Sequence, residues 1–163
     1  MKTEKDKIFQ GIIIDQIQLL TEETAKVKSL LNFVPELSKP KAMFIRQEFK
    51  GKIKGVYKII YKPHYESEDG NPYVMYIGQG NVNERHQRHK SVFLNNGQDI
   101  VSGNGHVSPS QAGKKMYMFD SDRNNWLFSY CKIGIKSLCS RYEEALQNEE
   151  NPIFNNSSMA GCN

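Results

Sequence analysis

Three cationic side chains and two histidines lie close together between Glu84 and Lys90, against a single carboxylate. Arg85 and His89 are four residues apart, so on a helix they share one face and can both contact one phosphate. Arginine offers a fixed fork of donors to phosphate oxygens, and histidine can donate a hydrogen bond or position a nucleophile. The segment therefore predicts phosphate chemistry, although a solvated helix face explains the charge alone equally well.

A hydrophobic hairpin is predicted just before this basic segment. Residues 55–62 and 73–77 are rich in β-branched and aromatic side chains, which favour strands. Residues 63–72 between them begin and end with proline and contain an Asp-Gly-Asn sequence, which is typical of turns. We therefore predict an antiparallel hairpin with a long connection.

Shorter elements are predicted after the hairpin. Residues 81–94 favour a helix with Asn81 or Asn83 as its N-cap. Residues 95–113 are crowded with glycine, asparagine and serine and predict a long loop, a kind of segment that is often functional or mobile. Two more strands are predicted at residues 115–119 and 126–133.

A helix is predicted near the end of the chain. Leu138, Tyr142 and Leu146 recur at helical spacing, which indicates a buried stripe on residues 136–149. Asn151, followed by a proline, is expected to end this helix because the residue before a proline is biased away from helical geometry.

Helical periodicity also extends over the first 50 residues. Apolar side chains recur at helical spacing over residues 8–20 and 21–33, and a short third helix is predicted over residues 42–49. We therefore divide the chain into a helical N-terminal extension, residues 1–50, and a domain of strands and helices, residues 51–163.

Length, charge and cysteine content limit the classes of protein. The 163 residues suit one domain with a peripheral part, and a net charge of +4 with a pI near 8.9 is a mild indication of an anionic partner. Three cysteines without metal-ligand spacing predict free thiols and no zinc site. No apolar run is long enough for a signal peptide or a membrane span, so we expect a cytoplasmic protein with no membrane partner.

The order of these motifs resembles that of the GIY-YIG nuclease superfamily. The resemblance covers roughly residues 53–156 and depends on two tripeptides at strand positions, a basic helix, and a Glu-x-x-Leu pattern with Pro-x-x-Asn nine residues after the glutamate. Here these motifs are Gly55-Val56-Tyr57, Tyr76-Ile77-Gly78, Arg85 with His89, Glu143-Glu144-Ala145-Leu146 and Pro152-Ile153-Phe154-Asn155. Each tripeptide alone is a weak signal, whereas the ordered set is specific.

The resemblance implies an α+β GIY-YIG nuclease fold, in which helices flank a small antiparallel or mixed central sheet. Val56 stands where the family name has isoleucine, a conservative exchange that leaves the strand intact. The 18 residues between Tyr57 and Tyr76 exceed the usual connection, so residues 63–72 are interpreted as an insertion. This insertion either contacts DNA or has no part in binding it.

The resemblance also implies roles for individual residues. Glu143 would hold one divalent metal per site, Mg²⁺ with Mn²⁺ as a substitute, although composition alone favours an ordinary solvent-facing glutamate. Arg85 and His89 would serve the phosphate. Tyr57 would act as general base and Tyr76 would orient the water, or the reverse. Either tyrosine needs its pKa lowered from about 10, which Arg85, His89 and the metal are expected to do.

Supporting positions and DNA contacts complete the expected site. Gly55 and Gly78 would give the backbone room to approach phosphate or to turn, and Asn155 would bond backbone close by. His86 is expected to contact the DNA backbone or to be exposed, because it lies on another helix face. Charge alone nominates further DNA-binding residues, namely Arg88, Lys90, Lys62, His64, Lys114 and Lys115.

The implied function is a sequence-specific, double-stranded DNA endonuclease of the type II restriction kind, which would act as a homodimer in a prokaryotic cell. Eight residues follow Asn155, so we expect DNA recognition by the nuclease body and the N-terminal helices. Two alternatives stay open at this point. One is a structure-specific repair or homing-type nuclease, and the other is a catalytically inactive DNA-binding protein of the same fold.

Overall fold

The computed structural model describes residues 22, 25–27, 36–45, 51–64, 70, 72–97 and 110–155. The chain divides into two compact units, Met1–Val34 and Pro35–Asn163. In the first unit, residue 22 and residues 25–27 are helical. The other residues of the predicted helices over 8–20 and 21–33 lie outside the described residues.

A four-stranded antiparallel sheet is the centre of the second unit. Its strands, in chain order, are β1 (Lys41–Ala42), β2 (Lys54–Tyr61), β3 (Tyr73–Asn81) and β4 (Trp126–Lys132). The order across the sheet is β1-β4-β2-β3, so β2 lies between β4 and β3. Together with the helices that flank this sheet, the arrangement is α+β, as predicted.

The predicted hairpin is confirmed, and its register brings the two motif tyrosines together. β2 pairs with β3 so that Tyr57 lies opposite Gly78, and Ile59 lies opposite Tyr76, with a register shift just after Ile59. Side chains two residues apart on a strand share one face of the sheet. Tyr57 and Tyr76 are therefore diagonal neighbours on the same face, within reach of each other for aromatic side chains.

In the described part of the second unit, three helices flank the sheet: α1 (Val82–Leu94), α2 (Gln111–Phe119) and α3 (Lys136–Glu150). The predictions of α1 and α3 are confirmed. The side chain of Asn81 caps α1 by accepting a hydrogen bond from the backbone N–H of Glu84, and Asn151 ends α3 in the left-handed conformation. Within the described part of the chain, every helix is too short or too polar to cross a membrane.

The strand predicted at residues 115–119 is wrong, because these residues belong to α2. A short run of apolar and aromatic residues cannot be assigned to strand or helix by periodicity alone. Burial of Ala112, Gly113 and Met116 at helical spacing and capping by Ser110 make this segment a helix. The loop predicted over residues 95–113 is accordingly wrong for its last three residues, and residues 98–109 lie outside the described residues.

The short helix predicted over residues 42–49 is wrong at its start. Ala42 is in β1, opposite Leu127 of β4, and the backbone N–H of Met43 donates to the carbonyl oxygen of Trp126 at 2.9 Å. β4 would otherwise form an unpaired edge of the sheet, and β1 covers part of that edge. Residues 46–50 lie outside the described residues.

The two faces of the sheet pack against different helices. The main core lies on the face of Tyr57, where α1 and α2 contribute Val82, Phe93 and Met116 and β4 contributes Trp126. α3 packs against β2 and β3 and buries Cys139, Tyr142, Ala145 and Leu146. The predicted stripe on α3 is thus correct for Tyr142 and Leu146, whereas Leu138 is only half-buried.

The side chain of Asn155 forms hydrogen bonds with the backbone of the edge strand β3, as a neighbouring strand would. Its Oδ1 accepts the backbone N–H of Ile77 at 2.8 Å, and its Nδ2 donates to the carbonyl oxygen of Ile77 at 2.8 Å. Asn155 is part of a short 3₁₀ turn, Ile153–Asn155, that follows α3. One side chain therefore satisfies both backbone groups of Ile77, the residue beside Tyr76, and ties the end of the described chain to β3.

Replacing Asn155 by alanine should lower the free energy of unfolding by about 1–3 kcal/mol, because the backbone N–H of the buried Ile77 loses its partner and the carbonyl oxygen keeps only its second donor, Gln147. Urea unfolding measures the change. Asn124→Ala, on the exposed 3₁₀ turn Arg123–Asn125, is the matched control and should change stability by no more than about 0.5 kcal/mol. Equal unfolding midpoints for the two variants would contradict the role of Asn155.

Candidate active site

Tyr57, Tyr76 and His89 form a compact aromatic cluster between the hairpin and α1. The ring centroids lie 6.1 Å apart for the two tyrosines, 5.5 Å for Tyr57 and His89, and 5.6 Å for Tyr76 and His89. The hydroxyl oxygen of Tyr57 lies 2.8 Å from Nε2 of His89, within hydrogen-bonding distance. Tyr57 is only 1 % exposed, whereas Tyr76 is half-buried.

The cluster requires a glycine at position 78. A Cβ added to Gly78 would lie 2.5 Å from the hydroxyl oxygen of Tyr57 and 2.8 Å from Cε1 of Tyr76. Both distances are shorter than van der Waals contact, so any other residue would displace the tyrosines. Gly55 serves packing in a similar way, since a Cβ there would lie 1.9 Å from the carbonyl oxygen of Cys131 on β4. Both glycines thus make room for neighbouring protein groups.

Arg85 lies in the first turn of α1, exposed and directly over the end of β3. A Cβ on Gly80 would be 3.3 Å from Nε of Arg85, and Gly80 has a φ of +128°, a conformation that L side chains rarely adopt. Glycine at this position therefore lets the guanidinium group lie close to the strand. The charge of Arg85 acts on Tyr57, Tyr76 and Glu143, which places it beside all three.

Glu143 reaches the same place from α3. Burial raises the pKa of its carboxyl group, and a hydrogen bond from Gln79 and the charge of Arg85 oppose that shift. Gln147, one turn along the helix, donates to Oε1 of Glu143 at 3.4 Å and to the carbonyl oxygen of Ile77 at 3.2 Å. The half-buried carboxylate is therefore held in position beside Tyr76 and Arg85.

The surroundings of Glu143 are compatible with a hard cation of the Mg²⁺ type. Among the described residues, no three histidine, cysteine, aspartate or glutamate side chains converge. Mg²⁺ commonly binds one or two carboxylates and completes its octahedron with water and substrate phosphate oxygens. One carboxylate, with the amide of Gln79 nearby, fits that type of site, whereas a site made of protein ligands alone would need more.

The protein raises the pKa of both tyrosines. Burial is the largest cause for Tyr57, whose pKa lies well above 10, and the neighbouring Tyr76 adds to the increase. Burial and Glu143 raise the pKa of Tyr76, while Tyr57, Arg85 and Arg88 oppose the increase. We expected nearby cations to lower these pKa values, but among the protein groups burial has the larger effect.

His89 contributes no positive charge at neutral pH. Burial, with a smaller effect from Arg85 and Arg88, lowers its pKa to about 3. Its ring connects two hydroxyl groups, since Nε2 contacts Tyr57 and Nδ1 contacts Oγ of Ser110. A neutral imidazole uses one nitrogen as donor and the other as acceptor. His89 can therefore accept a hydrogen bond from one of the two hydroxyl groups and donate one to the other.

His86 is a core residue, which corrects the expectation that it contacts DNA or solvent. It is 0 % exposed, its Nε2–H donates to the carbonyl oxygen of Met43 at 2.9 Å, and its ring meets Phe128 edge to face. Burial lowers its pKa to about 4. His86 therefore joins α1 to the segment after β1 and plays no direct part in the cluster.

The nominated DNA-binding residues lie in several places. Lys115 donates to the carbonyl oxygen of Phe154 at 3.1 Å and so supports the 3₁₀ turn that carries Asn155. The backbone N–H groups of Lys62 and His64 donate to Asn125, at the far end of the hairpin. The remaining three residues, Arg88, Lys90 and Lys114, are half-buried. The charge of Arg88 acts on Tyr76 and His89, and Lys114 lies on α2.

Three polar residues around the cluster were not identified from the sequence. Ser110 contacts His89, while Gln79 and Gln147 contact Glu143. Gln79 also donates to Oγ of Ser140 at 2.9 Å. Gln79 directly follows Gly78, and Gln147 lies one helical turn after Glu143, so position in the chain was an available signal for both. Ser110 carried only the signal of a helix cap.

In comparisons with known proteins, no family model, no curated protein and no solved structure matches the chain.

The two buried histidines make stability depend on pH. Their folded pKa values, about 4 and about 3, lie below the unfolded value of about 6.5, so the unfolded chain binds more protons below that pH. Stability should therefore be complete above about pH 6.5 and decrease as the pH falls towards 4. Between pH 7.5 and 5.5 the two histidines should remove about 2–3 kcal/mol, which urea unfolding at both pH values measures.

A His86→Met variant should lose about half as much stability over the same range, because one of the two neutral histidines is absent. Proton NMR gives an independent check, in which the C2–H signals of His86 and His89 should not titrate between pH 7.5 and 5.5. Titration of either signal near the ordinary histidine value, or stability that is constant over this range, would show that the assigned burial is wrong.

Proposed function

We propose that this protein is a metal-dependent endonuclease of the GIY-YIG superfamily, which hydrolyses phosphodiester bonds in double-stranded DNA. The observation that supports this proposal is the convergence of Tyr57, Tyr76, Arg85, His89 and Glu143. These residues come from β2, β3, α1 and α3, yet each lies close enough to others of the set to affect their pKa values or to share hydrogen bonds. Their functional types are those that phosphodiester hydrolysis requires.

Hydrolysis of a phosphodiester requires deprotonation of the attacking water, neutralisation of charge on the phosphate, and stabilisation of the leaving 3′ oxygen. Arg85 is the group suited to the phosphate, because it is exposed and presents a planar fork of donors. Its Nε lies close to Gly80 at the end of β3, and its charge acts on both Tyr57 and Tyr76. A phosphate bound by Arg85 would therefore lie near the two tyrosines.

Burial favours Tyr76 over Tyr57 as the residue that receives the proton from water. Tyr57 is 1 % exposed, and burial raises its pKa further, so its ionised form is costly and remote from solvent. Tyr76 is half-buried, and Tyr57, Arg85 and Arg88 all favour its ionised form. We therefore assign Tyr76 as general base and Tyr57 as its hydrogen-bonding support, the reverse of the order favoured by the sequence analysis.

Glu143 is the residue that would hold Mg²⁺, or Mn²⁺ in its place. A bound divalent cation would add positive charge beside the leaving oxygen and the tyrosines, and so favour both departure of that oxygen and the ionised form of Tyr76. Gln79 and Gln147 orient the carboxylate towards the site. Their hydrogen bonds also compensate part of the cost of keeping a charged carboxylate half-buried.

The type II restriction function is the more specific part of the proposal. A homodimer on a symmetric DNA site would place one such cluster at each strand, so that both strands are cut. The net charge of +4 favours association with an anionic partner, and DNA is one. Arg88 and Lys90 lie on the same helix as Arg85, on other sides of it, and these three basic residues make α1 the first candidate for contacts with the DNA backbone.

Glu143→Gln should abolish cleavage, because an uncharged amide of the same shape binds a hard cation poorly. We expect the rate on plasmid DNA with Mg²⁺ to fall by at least about 10³-fold. DNA affinity measured in Ca²⁺ or EDTA should stay within a few-fold of wild type. Glu144→Gln is the matched control, since Glu144 is the next residue on α3 and is exposed, and it should cut like wild type.

Three results would count against the proposed role of Glu143 or against the proposed function. Cleavage by Glu143→Gln at the wild-type rate would remove Glu143 from the site. Binding without cleavage by wild type and variant alike would favour an inactive DNA-binding protein. Cutting of a branched duplex but not of a linear duplex with the same sequence would favour a structure-specific nuclease.

The two tyrosines should differ in their effect on the chemical step. Tyr76→Phe removes the proposed base and should slow single-turnover cleavage by about 10²–10⁴-fold, the usual contribution of a general base. Tyr57→Phe removes a supporting hydroxyl and should slow it by about tenfold, because the base remains. A larger loss for Tyr57→Phe than for Tyr76→Phe would restore the opposite assignment.

A further inference from the structure

Ser110 lies at the point where α2 meets His89 of α1. The residue is 6 % exposed, its Oγ accepts the backbone N–H of Gly113 at 3.0 Å, and the same Oγ is in hydrogen-bond contact with Nδ1 of His89. One hydroxyl group therefore caps α2 and contacts a side chain on α1. The first of these roles is common for serine at a helix start, whereas the second is not required for capping.

Close packing of α2 on α1 creates this contact. A Cβ on Gly113 would lie 2.9 Å from the carbonyl oxygen of His89 and 3.1 Å from Cβ of Val92, so only glycine lets the helices approach this far. Gly113 follows Ser110 by three residues, and the first turn of α2 is thereby pressed against α1 at His89. The position of Ser110 beside Nδ1 is therefore fixed by backbone contacts as well as by its own side chain.

Counting donors and acceptors gives the direction of the hydrogen bonds. A serine hydroxyl has one proton and two lone pairs, and one lone pair of Ser110 is used by the Gly113 N–H. Buried hydroxyl protons need an acceptor, and among the described side chains that contact Ser110 this acceptor is Nδ1 of His89. In a neutral imidazole the proton is then on Nε2, which donates to the oxygen of Tyr57.

We propose that Ser110 is a positioning residue that holds His89 in the Nε2–H tautomer, so that Tyr57 accepts from His89 and directs its own hydroxyl proton towards Tyr76. The hydrogen bonds then run in one direction, from the Gly113 N–H through Ser110, His89 and Tyr57 to Tyr76. This inference rests on the proposed nuclease function only for its consequence in the reaction.

This direction of the hydrogen bonds explains how the buried Tyr57 can assist Tyr76. A hydroxyl that donates to a phenolate stabilises it, and such a donor itself becomes harder to ionise. The ring centroids of Tyr57 and Tyr76 lie 6.1 Å apart on one face of the sheet, and the hydroxyl of Tyr57 opposes the increase in the pKa of Tyr76. If His89 carried its proton on Nδ1 instead, Tyr57 would have to donate to Nε2, and its proton would be lost to Tyr76.

Three substitutions at Ser110 separate positioning from capping. Ser110→Thr keeps the hydroxyl and should keep the wild-type tautomer. Ser110→Asp keeps an oxygen to cap α2, but its carboxylate can only accept, so it should draw the imidazole proton to Nδ1. Ser110→Ala removes the partner of Nδ1 altogether. Ser91→Ala is the matched control, because Ser91 is on the same helix as His89 but its hydroxyl donates to the carbonyl oxygen of Gln87.

The first readout is ¹⁵N NMR of protein labelled at histidine, with the His89 signals identified by their absence in His89→Gln. Wild type, Ser110→Thr and Ser91→Ala should show a protonated Nε2 and an unprotonated Nδ1. Ser110→Asp should show the reverse, and Ser110→Ala should show a mixture. Protonation of Nδ1 in the wild type, or a tautomer that is the same in all four Ser110 forms, would overturn the proposal.

The second readout is the single-turnover cleavage rate. Ser110→Ala should be slower by about tenfold and Ser110→Asp by more, whereas Ser110→Thr and Ser91→Ala should match wild type. Equal rates in all variants, with the tautomer changed as expected, would refute the catalytic consequence. If the wild type does not cut DNA, the nuclease proposal fails, while the tautomer measurement still decides the role of Ser110.

Discussion

The buried hydrogen bond between Tyr57 and His89 is the interaction on which the rest of the site depends. It joins the central strand of the sheet to the helix that follows the hairpin, at an oxygen-to-nitrogen distance of 2.8 Å. Both partners are polar and almost fully buried, so the surrounding structure has to satisfy every donor and acceptor. Gly78 provides space for the tyrosine hydroxyl, and Ser110 meets the second nitrogen of the imidazole.

Burial shifts the pKa values of His89 and Tyr57 in opposite directions, and both shifts favour the uncharged form. It keeps His89 neutral, so that the imidazole can act as both donor and acceptor, and it makes ionisation of Tyr57 costly. Tyr76 is more exposed to solvent than Tyr57, and Arg85 and Arg88 favour its ionised form, so ionisation is less unfavourable at Tyr76. The different roles proposed for the two tyrosines therefore depend on their difference in exposure, since their side chains are chemically the same.

Local patterns in the sequence predicted the hairpin, α1 and α3, because strand propensity, an asparagine cap and helical periodicity are properties of neighbouring residues. α2 was not predicted, since its few apolar residues suit either a strand or a helix until Gly113 packs on α1. The convergence of Tyr57 with Glu143 was expected only through the family resemblance. Neither the difference in burial between the two tyrosines nor the contact of Ser110 with His89 could be predicted, because both depend on packing between distant segments.

Under the proposed function, the site that contains Tyr57, Tyr76 and Glu143 cuts DNA at defined sequences. The most direct test is digestion of DNA of known sequence by the purified full-length protein with Mg²⁺, followed by sequencing of all fragment ends. The account predicts that the ends on both strands fall at one short, symmetric sequence and that EDTA prevents cutting. Intact DNA, or ends that are scattered without a shared sequence, would contradict it.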